Sequence, residues 1–160
     1  MAVDMFLKID GIKGEARDKA HKEDIDVLAW AWGLAQSGTS HVGGGSGTGK
    51  VSVQDLHITK YIDKSSSDLM FHCASGKHVK KAELFVRKAG EQPLEYLKIT
   101  MEDVLVSTVT AGGAQMDERL TENVGLNFAK VKVEYKEQQA DGSGKPAGNF
   151  GWDVAGNTKY

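Results

Sequence analysis

Between Leu120 and Tyr135 a strand-like alternation changes sides: Val124, Leu126 and Phe128 share one face of an extended chain, whereas Val131, Val133 and Tyr135 share the other. A run of that length with its apolar face swapped part-way cannot lie flat over one core. It has to bend, and long bending strands are what the corners of a closed or nearly closed antiparallel barrel require. The economical reading places a β-bulge near Ala129. Lys50 to Asp63 repeats the pattern, because Val51 and Val53 lie opposite the face of Leu56, Ile58 and Ile62, which predicts a bulge or bend near Gln54.

Other segments agree. Val3, Met5, Leu7 and Ile9 alternate against Asp4, Lys8 and Asp10, with Phe6 alone out of step. Strands are expected over Ala82 to Lys88 and Leu94 to about Val109, with turn chemistry at Gly90 to Pro93 and at Gly112-Gly113. Phe150, Trp152 and Val154 predict a last short strand docked on the body. One helix is expected, over Ser66 to Ser75: the serines can cap it, Asp68 suits the dipole, Leu69, Met70 and Cys73 form its apolar stripe, and Gly76 stops it. The fold class is therefore mainly β, an antiparallel β-barrel of two sheets with one short flanking α-helix. A chain of 160 residues is one domain by length, and folding buries roughly 70% of its extended surface. That domain is expected to carry a flexible Gly-rich loop at 38–50 and a flexible segment at about 140–148.

Composition removes several functions. Twenty basic against 22 acidic side chains leave a net charge of -2, without the basic excess that holds nucleic acid or an anionic membrane. No apolar run reaches the 18 or so residues needed to span a bilayer, and the charged start predicts neither signal peptide nor membrane anchor. A single cysteine, Cys73, cannot form an internal disulfide and suits a reducing cytoplasm.

Motifs that could carry chemistry fall short one by one. Gly44 to Val51 reads GGSGTGKV, close to a phosphate-binding loop, but Val51 stands where a hydroxyl must ligate magnesium, and a strand rather than a helix follows. The five histidines show no H-x-x-x-H pair, and His72, Cys73 and His78 lack a second ligand set at metal-binding spacing. Ser37, Ser40 and His41 lie in a glycine loop without a rigid elbow, while Asp117, Glu118 and Glu122 read as solvated surface. The charged stretch from Lys13 to Asp24 likewise reads as a solvated loop. No catalytic residue, cofactor site or metal site is expected.

Asp26 to Gln36 is the unusual segment: large Leu28, Trp30, Trp32 and Leu34 alternate with small Ala29, Ala31, Gly33 and Ala35. The large face is read as core, Trp30 and Trp32 included. The small face either packs against a close neighbour or lines a space that must stay open or receive another chain. After it comes SGTSHVGGGSGTGK, with six glycines in fourteen residues, which is too flexible to hold one shape and is disordered unless something else orders it.

The segments MAVDMFLKIDGIKGE, DVLAWAWGLAQSGT, VQDLHITKYIDKSSSDLM with CASGKH, RLTENVGLNFAKVKVEY and the terminal FGWDV together resemble the haemolysin-coregulated protein (Hcp) family over essentially the whole chain. That resemblance implies a homohexameric ring of barrels that stacks into the inner tube of the bacterial type VI secretion system. The tube would sit inside a contractile sheath, carry a trimeric spike at its tip, and hold small effector proteins in its lumen. It would start in the cytoplasm and be expelled to the extracellular space or a target cell. On this reading Ala29, Ala31, Gly33 and Ala35 face the lumen, and His41, Val42, Gly43, Gly44 and Lys50 contact a neighbouring subunit or ring. From the residues alone, a monomeric barrel binding a small ligand or carbohydrate remains the alternative, with a nucleotide-dependent enzyme third.

Overall fold

A computed structural model describes residues 3–37, 50–90 and 93–160. In chain order the elements are β1 (Val3–Ile9), β2 (Ile25–Asp26), β3 (Ala29–Ala31), β4 (Leu34–Ala35), β5 (Ser52–Val53), β6 (Leu56–Tyr61), α1 (Ser65–Ser75), β7 (Val79–Lys88), β8 (Leu94–Gly112), β9 (Thr121–Gln138), β10 (Gly144–Asp153) and β11 (Thr158–Lys159). The strands pair antiparallel in the order β2-β1-β7-β8-β9-β10-β11, and β9 pairs with β6 through its first half and with β10 through its second. β3 then pairs with β6.

Segment 25–31 links the two ends of this path. Ile25 and Asp26 pair with β1, Val27 N–H donates to Met5 O at 3.0 Å, Leu28 N–H donates to Thr59 O at 2.8 Å, and Ala29 to Ala31 pair with β6. The ladder is interrupted between β2 and β3, so the barrel is bridged there and not sealed by one continuous ladder. The two sheets are unequal: one of nine strands bent over its own core, and a second of two strands, β4 and β5, that forms a separate arm.

The expected change of face in β9 is present, but without a bulge. Phe128 and Val131 are both buried, yet the pairing with β8 keeps one register across Ala129, from Met101↔Val131 to Val104↔Phe128. The partner strand makes the matching skip, from Met101 to Val104, and Asp103 takes a left-handed φ of 53° to do so. β7 skips too, from Val79 to Ala82. Three strands thus exchange faces along one line, which creases the sheet while every partner stays in step. Register shifts occur instead at Val86/Arg87, Val106/Thr108 and Pro146/Gly148. The bend expected near Gln54 is the gap between β5 and β6.

Leu7, Ile25, Leu56, Ile58, Leu84, Met101, Val124 and Leu126 lie in the core, with Trp30, Trp32 and Trp152 packed partly buried against it. Two residues expected there are outside it. Leu28, 41% exposed, sits at the break between β2 and β3, and Leu34, 44% exposed, rides on the two-stranded arm beyond the barrel. The chain expected to be flexible at about 140–148 is paired from Gly144 onward, since β10 begins there against Gln138.

Helix α1 ends as expected, with Gly76 left-handed and its N–H donating to His72 O. Its start differs from expectation. Lys64 at the N-cap gives no side-chain hydrogen bond; instead Asp63 Oδ1 accepts from Ser65 N–H at 2.8 Å, and Ser66 Oγ accepts from Asp63 N–H at 3.0 Å. Leu69 is buried and Cys73 half-buried, whereas Met70 faces solvent.

Glu122 corrects the solvated reading most sharply. Both Glu122 and Lys60 are 0% exposed, face each other directly across β6 and β9, and form an ion pair. Ser66 Oγ donates to Glu122 Oε1 at 2.6 Å, and Asp63 Oδ1 lies 3.0 Å from Lys60 Nζ. The network ties the start of α1 to the sheet. Asp117 and Glu118 do lie in solvent.

The charged stretch is a loop, but it is latched down. Gly14, Ala16 and His21 are buried, His21 stacks on Phe6 at 4.5 Å, and Arg87 donates to both oxygens of Asp18 at 3.0 and 2.6 Å and to Asp4 at 3.1 Å. The hydrogen bonds from Arg87 hold the Asp18 carboxyl down at about 2, below its ordinary 3.8. A depressed carboxylate contributes stability that is complete above its ordinary value and lost as pH falls through the folded one. Urea midpoints measured at about pH 6 and about pH 2 should therefore fall further for the wild type than for Arg87→Met. Equal falls would remove this pair from the acid response.

Candidate functional site

On the far side of the crease from the latched loop, β3, β6, β9 and β8 lie side by side and turn one face outward. Register places Ala29, Thr59, Asn123 and Thr110 in one row, and Ala31, His57, Gly125 and Thr108 in the next. Asn127, opposite Leu105, continues the face beside Asp55, the residue before β6. Most of these side chains are exposed, and all but Leu105 are small or polar; these rows hold no Lys, Arg or Glu.

The polar groups are ordered by one another. Thr59 Oγ1 donates to Asn123 Oδ1 at 2.7 Å. Asp55 accepts from Ser107 Oγ at 2.7 Å and from Asn127 Nδ2 at 2.8 Å, one donor on each carboxylate oxygen. Ser107 reaches it from the irregularity between Val106 and Thr108. A Cβ on Gly125 would lie 2.6 Å from Thr108 Oγ1, 2.9 Å from Ser107 Oγ and 3.1 Å from His57 Cε1, so those three side chains fill the room that a larger residue would take. Asp55, His57 and Ser107 are the residue types of a nucleophilic triad, but the serine donates to the aspartate directly, and the geometry of an activated nucleophile is absent among them.

Beyond the crease the same sheet is charged. Lys81, Glu102 and Lys130 form one cross-strand row, Glu83, Thr100 and Lys132 the next, and Phe85, Lys98 and Glu134 the third. Opposite charges alternate there and contribute cross-strand attraction. The contrast in chemistry therefore follows the line of the crease.

Of the residues expected on the small face, Ala29 and Ala31 are on it and exposed. Gly33 and Ala35 leave it: Gly33 O accepts from Gln54 N–H at 3.0 Å, and Ala35 pairs with Ser52 on the arm. Lys50 is exposed beside the arm, while His41, Val42, Gly43 and Gly44 lie outside the described residues. Thr59, His57, Asn123, Asn127 and Thr108 were not anticipated. The signal for part of them was present in β9, where Asn123, Gly125 and Asn127 interleave with Val124, Leu126 and Phe128.

The segment that resembles a phosphate-binding loop leads into β5, without the helix such a loop needs. A separate cleft is lined by Glu15, Arg17, Asp26, Tyr61, Asp63 and Arg119, with Arg119 stacked 3.7 Å over the Tyr61 ring. Burial, with the nearby Asp63 charge, pushes the Asp26 carboxyl up.

Three kinds of likeness bear on this arrangement. A family model described as "Type VI secretion system effector, Hcp" matches residues 6–135. The protein hcp1 of Pseudomonas aeruginosa is 57% identical, over 99% of each chain. Among solved structures, Hcp1 of Salmonella typhimurium is 40% identical with a TM-score of 0.79 over the whole of both chains. A structure described as a type six secretion system protein is 28% identical with a TM-score of 0.93, covering 99% of this chain and 100% of that one.

Proposed function

The chain belongs to the Hcp family of type VI secretion proteins, and on that premise we propose that it is the structural subunit of the secretion tube. Six copies close into a ring and rings stack. The tube carries a trimeric spike, runs inside a contractile sheath, and leaves the cell with effector proteins held in its lumen. The role is mechanical and carrier-like.

The observation that carries this reading is the outward face of β3, β6, β9 and β8. An exposed sheet face without bulk or cation across its rows suits the wall of a channel through which other proteins pass, because no large side chain obstructs the space in front of it. The two-stranded arm is the complementary feature, since its exposed Leu34 suits contact with another copy, while Val53 opposite packs back against the core. Lys50, exposed beside the arm, belongs to the same proposed contact; His41, Val42, Gly43 and Gly44, proposed to meet a neighbouring subunit or ring, lie outside the described residues.

Ala31→Trp tests the lumen assignment. Ala31 is exposed and its sheet partner is His57, so a bulky ring at this position should leave the assembly mass unchanged while reducing co-purified effector. Loss of the assembly in that variant would place Ala31 at a subunit contact instead.

A further inference from the structure

We infer that Asp55, held by Ser107 and Asn127, is the anchor by which this face engages basic cargo, segments that present Lys or Arg side chains. The inference rests on the tube reading above and names the chemistry of what the lumen receives.

Three observations converge on it. In the rows formed by Ala29 to Thr110 and by Ala31 to Thr108, and at Asn127, the face carries no formal charge with histidine neutral, so Asp55 supplies the full charge there. None of the ion pairs among the described residues includes it. Along β6, Lys60 points into the core and pairs with Glu122, and on the outward side Arg119 stacks on Tyr61, roughly 20 Å along the strand from Asp55 at about 3.3 Å per residue. Finally, the carboxylate is pre-positioned: one neutral donor on each oxygen fixes its plane and leaves further lone pairs on both oxygens for a guanidinium or ammonium group.

A half-buried carboxylate, oriented but without a counterion, is complementary to a cation arriving from outside. One such contact at an exposed face is weak. Repetition around a closed ring makes the contacts multivalent, so a flexible basic segment is held by several weak anchors and still released when they are diluted or screened by salt. Acidic cargo gains nothing from the same face.

The test uses the purified full chain and fluorescein-labelled oligoarginine, with oligoglutamate as the opposite probe, read by anisotropy at low salt. The wild type should bind oligoarginine and not oligoglutamate. Asp55→Asn should weaken oligoarginine about tenfold. Glu134→Gln, which removes one charge from the other side of the crease, should leave binding unchanged and so controls for the net negative charge of the whole protein. Ala31→Lys, which adds a cation to the face without touching Asp55 or its two partners, should weaken binding comparably and stands in if Asp55→Asn fails to fold. Unchanged binding in both face variants, equal loss in Glu134→Gln, no binding to the wild type, or a preference for oligoglutamate would each overturn the anchor. Assembly mass on the same samples separates the two ideas: a monomer that still binds through Asp55 refutes the tube and not the anchor.

Discussion

Lys60→Met is expected to destabilise the protein by about 3–5 kcal/mol, a large share of the total stability of a domain this size. The cost comes from what remains. Glu122 is fully buried and accepts from Lys60 and Ser66 on one oxygen, while its other oxygen has no partner; Asp63 also faces Lys60 Nζ. Without the ammonium, two carboxylates share a region with little water and no cation between them. The double variant Lys60→Met/Glu122→Leu removes the orphaned charge and should recover much of the loss, because an apolar pair of similar volume replaces an ion pair at small net cost. Urea denaturation of the three proteins measures both effects. A single variant within about 0.5 kcal/mol of wild type would mean that the pair is solvated and the network does not hold α1 to the sheet.

Gly14→Val is expected to cost about 2–3 kcal/mol by overpacking. A Cβ at Gly14 would lie 2.5 Å from Asp24 O and 2.7 Å from Ile25 Cα, which are backbone atoms that cannot swing aside. The loop is pinned there by its own hydrogen bonds: Gly14 N–H donates to Glu23 O at 2.8 Å, Ala16 N–H to Asp24 O at 3.0 Å, and Glu23 N–H to Ala16 O at 2.9 Å. A side chain also stiffens the unfolded chain, which returns about 0.4–1 kcal/mol in the stabilising direction, less than the overlap removes. Hydrogen exchange at the Ala16 and Glu23 amides should quicken more than in the core strands. Unchanged exchange and an unchanged urea midpoint would show that the loop accommodates the side chain.

How much of this could be read from the residues depends on whether the information was local. Alternation in β1 and β9 is local, and it placed both strands and the change of face near Ala129. Its form was not legible, because the skip is shared with Asp103 and with the β7 partner, and one strand's pattern looks the same whether its neighbour bulges or bends with it. Leu28 and Leu34 alternate as core residues do, yet the strand they were assigned to is broken into β2, β3 and β4, which pair with three different partners. The pattern carries no mark of those breaks.

The buried ion pair was legible in principle. Lys60 is in phase with Leu56 and Ile58, and Glu122 is in phase with Val124 and Leu126, so opposite charges occupy the apolar phase of two strands. Taken alone, each reads as an ordinary surface charge at a strand end. Their partnership across 62 residues appears only when β6 and β9 are set in register. For the outward face the same holds: Ala29 and Ala31 signalled it within one strand, whereas His57, Asn123 and Thr108 join it only through the ladder.

Ring formation is the central claim, and the solution mass by light scattering on a sizing column tests it most directly. The account predicts a mass near six times the 17.3 kDa of one chain. A single species of one chain mass, persisting at high protein concentration and low salt, would contradict it and favour a barrel that acts alone on a small ligand.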